Sequence, residues 1–151
     1  LLRRHELAPG QALFLGAGVL HCYLKGFGVE IMGGSDNVVR AGLTPKPVDV
    51  PELLRITAPD ALPLPVAPDP DGTYPTPAPE FRLRRLTAAD ECRLTGALPR
   101  ILLCTEEAAQ VTAGAETTQL KAGESVFVPA ACPQVTVRTT GMVFCAEPGP
   151  H

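Results

Sequence analysis

Seventeen prolines occur in these 151 residues, and they crowd between Pro59 and Pro79 in the stretch PDALPLPVAPDPDGTYPTPAP. Each proline fixes φ and removes a backbone donor, so neither a helix nor a central strand tolerates that density. The stretch reads as an extended connector, 59–79, between residues 1–58 and 80–151. Both flanks read as short β segments: ALFL, CYLKG and VEIM before it, then FRLRRL, RILLC, QVT, SVFVPA, QVTVR and MVFCA after it. Glycines and prolines punctuate these runs, as in an all-β sandwich or barrel. Two short helices are expected to interrupt them, because Asp49-Val-Pro-Glu52 and Thr87-Ala-Ala-Asp90 each place a capping side chain three residues before an acid.

The charge pattern excludes some functions. A net charge of -3 is built from interspersed acids and bases, with no basic block to neutralise a nucleic-acid backbone, so no nucleic-acid partner is expected. No apolar run approaches the roughly 20 residues of a membrane helix, and no membrane partner is expected. The chain opens on Leu1-Leu2-Arg3-Arg4-His5, without methionine or a secretory pattern, and reads as a piece of a longer protein. Five cysteines with no CxxC pair suit reduced thiols in a cytoplasmic protein better than a disulfide frame.

An internal repeat adds the next constraint. At a constant offset of 113 residues, Leu7-Ala-Pro-Gly10-Gln-Ala-Leu-Phe14-Leu-Gly-Ala17 aligns without gaps on Leu120-Lys-Ala-Gly123-Glu-Ser-Val-Phe127-Val-Pro-Ala130, and Gly28 falls on Gly141. Each copy launches a continuously apolar strand from a glycine turn, as expected of a strand covered on both faces, and a hairpin comes next. His21 then falls on Gln134 and Glu30 on Val143, so the first copy keeps groups able to do chemistry and the second loses them. An active β barrel followed by a degenerate one is the expectation.

The densest segment runs from His21 to Lys46: HCYLKGFGVEIMGGSDNVVRAGLTPK. On a strand His21 and Tyr23 share one face while Cys22 and Leu24 share the other, so Cys22 cannot join His21 on one metal without a bulge. A single histidine there is ordinarily structural, but Lys25-Gly26-Phe27-Gly28 is a turn that can bring Glu30 onto the adjacent strand. Ser35-Asp36-Asn37 is a capping and turn cluster whose oxygens satisfy backbone donors. Arg40 and Lys46 flank Gly42 and Pro45 in a loop, where such cations either meet an anionic substrate or are simply solvated.

This string resembles the signature of type I phosphomannose isomerases, which reads close to HAYLxGxxVExMAxSDNxxRAGxTPK. The departures are Cys22 and Gly33, both small residues where that family has alanine. The resemblance continues through Asp49-Val-Pro-Glu-Leu-Leu, the proline stretch, Ile101-Leu-Leu-Cys-Thr-Glu106 and Gly123-Glu-Ser-Val-Phe-Val-Pro-Ala130, and so covers essentially the whole chain.

The resemblance implies cupin-type jelly-roll barrels. Residues 1–58 would be the C-terminal portion of the catalytic barrel and residues 80–151 a second cupin-like domain. It implies interconversion of mannose 6-phosphate and fructose 6-phosphate through an enediol, with one Zn2+ per site. The position matching the family's last zinc ligand is His21, that of its catalytic arginine is Arg40, and Glu30 and Lys46 match fixed positions near the substrate. The other zinc ligands, a glutamine, a histidine and a glutamate, would lie outside this chain. Its expected partners are therefore a sugar phosphate and the missing N-terminal portion of the same enzyme. Alone, this chain is expected to be inactive, with unpaired strand edges and exposed apolar surface before residue 58. The competing expectation is a non-catalytic cupin module that binds a sugar or a protein.

Overall fold

The first regular element leaves a glycine turn. Gly10 takes φ 83°, a left-handed conformation in which a side chain would be strained, and β1 (Ala12–Phe14) begins two residues later. The computed structural model describes residues 3–35, 38–87 and 91–149. They fall into two compact units, Leu1–Val66 and Ala67–His151.

In the first unit β1 pairs antiparallel with a strand from the proline-rich stretch, β2 (Leu64–Val66). Pro65 stands opposite Leu13. A proline is tolerated because this sheet has only two strands and its missing N–H need not serve a second neighbour. Between them lies the single helix among the described residues, α1 (Val50–Ile56). Asp49 caps it as its sequence indicates, with Oδ1 accepting from Glu52 N at 3.0 Å, and Pro51 occupies the first turn where no donor is needed. Thr57 closes the other end, its N–H and hydroxyl both donating to Leu53 O.

CYLKG and VEIM differ from expectation: residues 15–49 contain no strand among the described positions. Alternating side chains define a face, but a strand forms only when a neighbour pairs with its backbone, and here β2 lies against β1 alone. The second expected helix, opening at Thr87-Ala-Ala-Asp90, falls mostly outside the described residues. Thr87 ends a strand, and residues 88–90 lie outside the described ones, as do Asp36 and Asn37 of the capping cluster.

Nor is 59–79 a free connector. Its first part supplies β2, and its second part folds onto the second unit. Tyr74 N donates to Leu83 O at 2.9 Å, Arg85 N donates to Gly72 O at 2.8 Å, and Tyr74 is buried. Gly72, at φ 84°, is required there: a Cβ would meet Arg85 O at 2.0 Å. Prolines suit this position because an irregular strip along a sheet edge uses few of its own donors and blocks further pairing.

The second unit then builds eight strands: β3 (Phe81–Thr87), β4 (Cys92–Thr95), β5 (Arg100–Glu106), β6 (Ala108–Ala113), β7 (Glu116–Lys121), β8 (Ser125–Val128), β9 (Gln134–Thr139) and β10 (Met142–Pro148). They form two four-stranded antiparallel sheets in the orders β3-β10-β5-β8 and β4-β9-β6-β7. Apart from the β6–β7 hairpin, consecutive strands cross from one sheet to the other, as in a jelly roll, and the unit is a cupin-like β fold. Strand parity fills the space between the sheets. Val143 and Cys145 of β10, Leu102 and Cys104 of β5, and Val135 and Val137 of β9 are all essentially inaccessible. Each such aliphatic side chain contributes roughly 1.5–3 kcal/mol on burial.

The repeat is visible in the backbone. Gln11 N donates to Ala8 O at 3.0 Å, and at the same offset Glu124 N donates to Lys121 O at 2.9 Å. Ala8 N donates to the Gln11 side chain at 2.9 Å, as Lys121 N does to the Glu124 side chain at 2.8 Å. Val19 N donates to Gly16 O, as Cys132 N does to Pro129 O. Gly123 repeats the left-handed φ of Gly10, at 88°. One expectation changes: β8 is an edge strand covered on one face only, with Phe127 62% exposed.

Candidate active-site segment

The candidate residues His21, Glu30, Arg40 and Lys46 all lie in the irregular stretch between β1 and α1 and are all exposed. His21 is held locally. Its Nδ1 lies 3.1 Å from Val19 O, and since a carbonyl only accepts, Nδ1–H is the donor and Nε2 is left facing away from that bond. The Tyr23 ring meets the imidazole edge to face at 5.9 Å. Two residues of extended chain carry both rings to one side, as strand parity requires.

Tyr23 in turn faces Glu30. Its hydroxyl lies above its ordinary pKa, first because that end of the ring is desolvated and then because the Glu30 carboxylate accepts its hydrogen bond and carries negative charge. The turn at Lys25–Gly28 therefore brings the carboxylate back to the aromatic pair, with Gly26 at φ 130°. His21, Tyr23 and Glu30 form one connected group, of which Tyr23 was not singled out by sequence. Its parity with His21 was the available signal.

Arg40 and Lys46 stand outside that group. No described residue pairs with the Arg40 guanidinium, and no hydrogen bond joins either cation to His21 or Glu30. Their loop carries backbone strain, since Leu43 adopts φ 55° although it is not glycine. Lys46 N donates to Thr44 Oγ1 at 3.2 Å, a turn that sets the direction of the chain at the lysine.

As a zinc site the segment is incomplete. Among the described residues no three histidine, cysteine, aspartate or glutamate side chains gather closely enough to hold a metal ion. The free Nε2 of His21 is a suitable single ligand, but a catalytic zinc takes about three protein ligands.

The second unit contains a charged cluster that the resemblance does not include. Glu147, on β10, accepts from Arg82 Nε on β3 at 2.7 Å and from Arg100 Nε on β5 at 3.0 Å. Arg100 also donates to Leu98 O and Thr95 O, and both it and Glu147 have side chains only 1% exposed. Parity made this legible: Glu147 shares a face with Val143 and Cys145, and Arg82 with Leu86. At the positions aligned with His21 and Glu30 this unit carries Gln134 and Val143, neither of which titrates.

Known proteins share this segment and this fold. The mannose-6-phosphate isomerase of Escherichia coli is 38% identical over 148 residues, which cover 93% of this chain and 38% of that protein. The human mannose-6-phosphate isomerase is 46% identical over 88 residues, covering 52% of this chain and 21% of that protein. The relatives of this chain are mannose-6-phosphate isomerases. Among solved structures, two variants of the Salmonella typhimurium phosphomannose isomerase match with a TM-score of 0.62, at 32–33% identity, over 77% of this chain and 32% of theirs. One replaces a glutamate and the other an arginine ten positions further on. A mannose 6-phosphate isomerase structure bound with zinc and yttrium matches with a TM-score of 0.59 at 29% identity, over 76% of this chain and 31% of that one. No family model matches. This chain thus spans well under half the length of the mannose-6-phosphate isomerases it resembles.

Proposed function

We propose that this chain is part of a zinc-dependent mannose-6-phosphate isomerase of the cytoplasm, and that residues 1–58 are the C-terminal portion of its catalytic domain. The observation that carries the reading is the His21–Lys46 segment, continuous with a 38% identity to the Escherichia coli enzyme over nearly all of this chain. The reaction moves the C2 proton of mannose 6-phosphate to C1 through an enediol, while a proton passes from O2 to O1, and no outside oxidant or reductant is consumed. Zinc, when bound, supplies a Lewis acid.

Within this chain His21 offers Nε2 as one ligand, its other nitrogen fixed by Val19 O. Arg40 places a permanent positive charge near the enediolate, which lowers the energy of the developing anion. Glu30 and Lys46 take part in substrate binding, Lys46 as a point charge for the phosphate. The glutamate–arginine spacing replaced in the Salmonella typhimurium variants is the spacing of Glu30 and Arg40 here, which supports assigning both to the site. A general base is also required, and none of these four residues is assigned to it.

One imidazole is too few ligands for a catalytic zinc, and the 151 residues alone are expected to be inactive. The second reading, a non-catalytic cupin module, is favoured only for residues 80–151, where Gln134 and Val143 replace the reactive groups. The test is an assay for fructose 6-phosphate formation from mannose 6-phosphate. We expect no turnover from this chain alone. In a longer protein that contains it, Arg40→Ala should lower kcat about 100–1,000-fold. Full turnover by the 151 residues, or an Arg40→Ala enzyme with unchanged kcat, would overturn the reading.

A further inference from the structure

The jelly roll of the second unit is sealed along one side and open along the other. Near the meeting of β7 and β8, Gly123 N donates to Cys104 O at 2.8 Å and Cys104 N donates to Glu124 O at 3.0 Å, so backbone bonds close the seam between the two sheets. On the opposite side β3 and β4 are the outer strands of their sheets and do not pair with each other. The 69–73 turn stands there instead. Asp69 N donates to Thr73 O at 2.7 Å and Gly72 N to Asp69 O at 2.8 Å, which braces the turn, and Arg85 N clamps Gly72 to β3. Between this turn, the end of β3 and the start of β4 lies a cleft of about 240 Å³, with Leu86 and Cys92 of the core cluster on its inner wall. At ~30 Å³ per water molecule in the liquid, a small organic ion fits in it.

The charges lining this cleft are unevenly satisfied. Asp71 accepts from the N–H and the hydroxyl of Thr73 and lies 3.7 Å from the Arg84 guanidinium. Glu91 accepts from both Arg93 and Arg138. Asp69 is exposed and makes no ion pair with Arg85. Arg85 itself is half-buried, its guanidinium has no hydrogen-bond or ion-pair partner among the described residues, and its Nε is buried without an acceptor. A buried donor left unbonded is unfavourable and calls for an acceptor, from water or from a ligand. The one cation of the lining is thus the group without a counter-charge, while two of the three carboxylates have theirs.

We infer that the open seam between β3 and β4 is a binding site for a small oxyanion, a carboxylate or a phosphate monoester, held by the donor fork of Arg85 with its organic part against Leu86 and Cys92. A guanidinium presents Nε–H and Nη–H side by side, a spacing that matches two oxygens of either anion. The braced turn and the strand end fix the walls beforehand, so little ordering is needed on binding. Arg84, one residue earlier on β3, points to the other face of its sheet and is already paired with Asp71, which makes it the internal control. The site lies wholly within residues 67–151 and stands apart from the isomerase reading of residues 1–58.

The test titrates the 151-residue chain, isotope-labelled at its arginine nitrogens, with sodium phosphate, sodium acetate and, as an uncharged control, mannose, all at constant ionic strength. Nuclear magnetic resonance reads each arginine Nε–H. The Arg85 signal should move saturably with at least one anion while those of Arg84 and Arg93 stay in place; saturation by phosphate alone identifies a phosphate monoester, and by acetate alone a carboxylate. Arg85→Met keeps the length of the side chain and should weaken binding at least about 10-fold, as read at the backbone amides of Thr87 and Cys92. In anion-free buffer its urea midpoint should equal or exceed that of the parent, because an unsatisfied donor has been removed. The saturating anion should raise the midpoint of the parent more than that of the variant. No saturable shift with either anion, equal shifts at Arg84 and Arg93, or an equal response to mannose would overturn the inference. So would an Arg85→Met chain that is less stable than the parent without anion, since Arg85 would then serve the fold.

Discussion

Replacing Glu147 by alanine should damage the second unit more than any other single loss of a polar group. The carboxylate has 1% side-chain exposure and neutralises Arg100, whose side chain is equally buried. Without it the Arg100 guanidinium keeps two carbonyl acceptors, Leu98 O and Thr95 O, and no counter-charge. A buried charge stripped of its partner costs about 3–5 kcal/mol. With a urea slope of roughly 1–2 kcal/mol per molar for a domain of this size, the unfolding midpoint should fall by about 1.5–5 M. Far-ultraviolet circular dichroism without denaturant checks whether the variant is already unfolded. Two further variants isolate the cause. Arg82→Met should cost about 1 kcal/mol, because Arg82 is 35% exposed and Arg100 still satisfies the carboxylate. The double replacement Arg100→Met with Glu147→Leu should recover stability to within about 1 kcal/mol of the parent, since it removes both desolvated charges together. A Glu147→Ala loss below about 1 kcal/mol, or a double variant as unstable as the single one, would show that the charge pair does not hold this end of the jelly roll.

Four other outcomes come from local structure. Gly141→Ala forces a methyl group onto Glu106 O and should destabilise the second unit by about 1–3 kcal/mol in the same urea experiment. Asp49→Ala removes the acceptor for Glu52 N and should cost α1 about 1 kcal/mol, seen as faster amide exchange over residues 50–56. Burial pushes the Cys145 thiol up to about 12, so the folded state holds this proton where the unfolded state releases it. That contribution to stability is complete below about pH 9 and is lost as pH rises toward 12, a slope that Cys145→Val should flatten. At pH 8 iodoacetamide should accordingly label exposed Cys22 well before Cys145, as read by peptide mass spectrometry.

Local chemistry wrote several features of this protein directly into its sequence. Asp49 with Pro51 specified α1, because a cap and a first-turn proline act within a few residues of the chain. Gly10 and Gly123 specified two equivalent turns, and the repeat that joined them reappears as the same hydrogen bonds in both units. Alternation along β5, β9 and β10 matches the residues that face inward, and the same parity was the available signal for Arg82 and Glu147 as companions of core residues. The group His21, Tyr23 and Glu30 was partly legible, since a two-residue spacing and a glycine turn suffice to bring it together.

Features that depend on distant neighbours were open until the chain folded. Whether CYLKG and VEIM become strands is decided by whether another sheet accepts their backbone groups, and no alternation of side chains contains that answer. The proline-rich stretch was legible as unable to enter a central strand, yet only tertiary structure showed it divided between pairing with β1 and sealing the β3 edge. A proline forbids donors, but which acceptors then lie nearby is a property of the folded chain. The same holds for the arginines: parity put Arg82 inward, while only the order β3-β10-β5 set it and Arg100 on either side of Glu147.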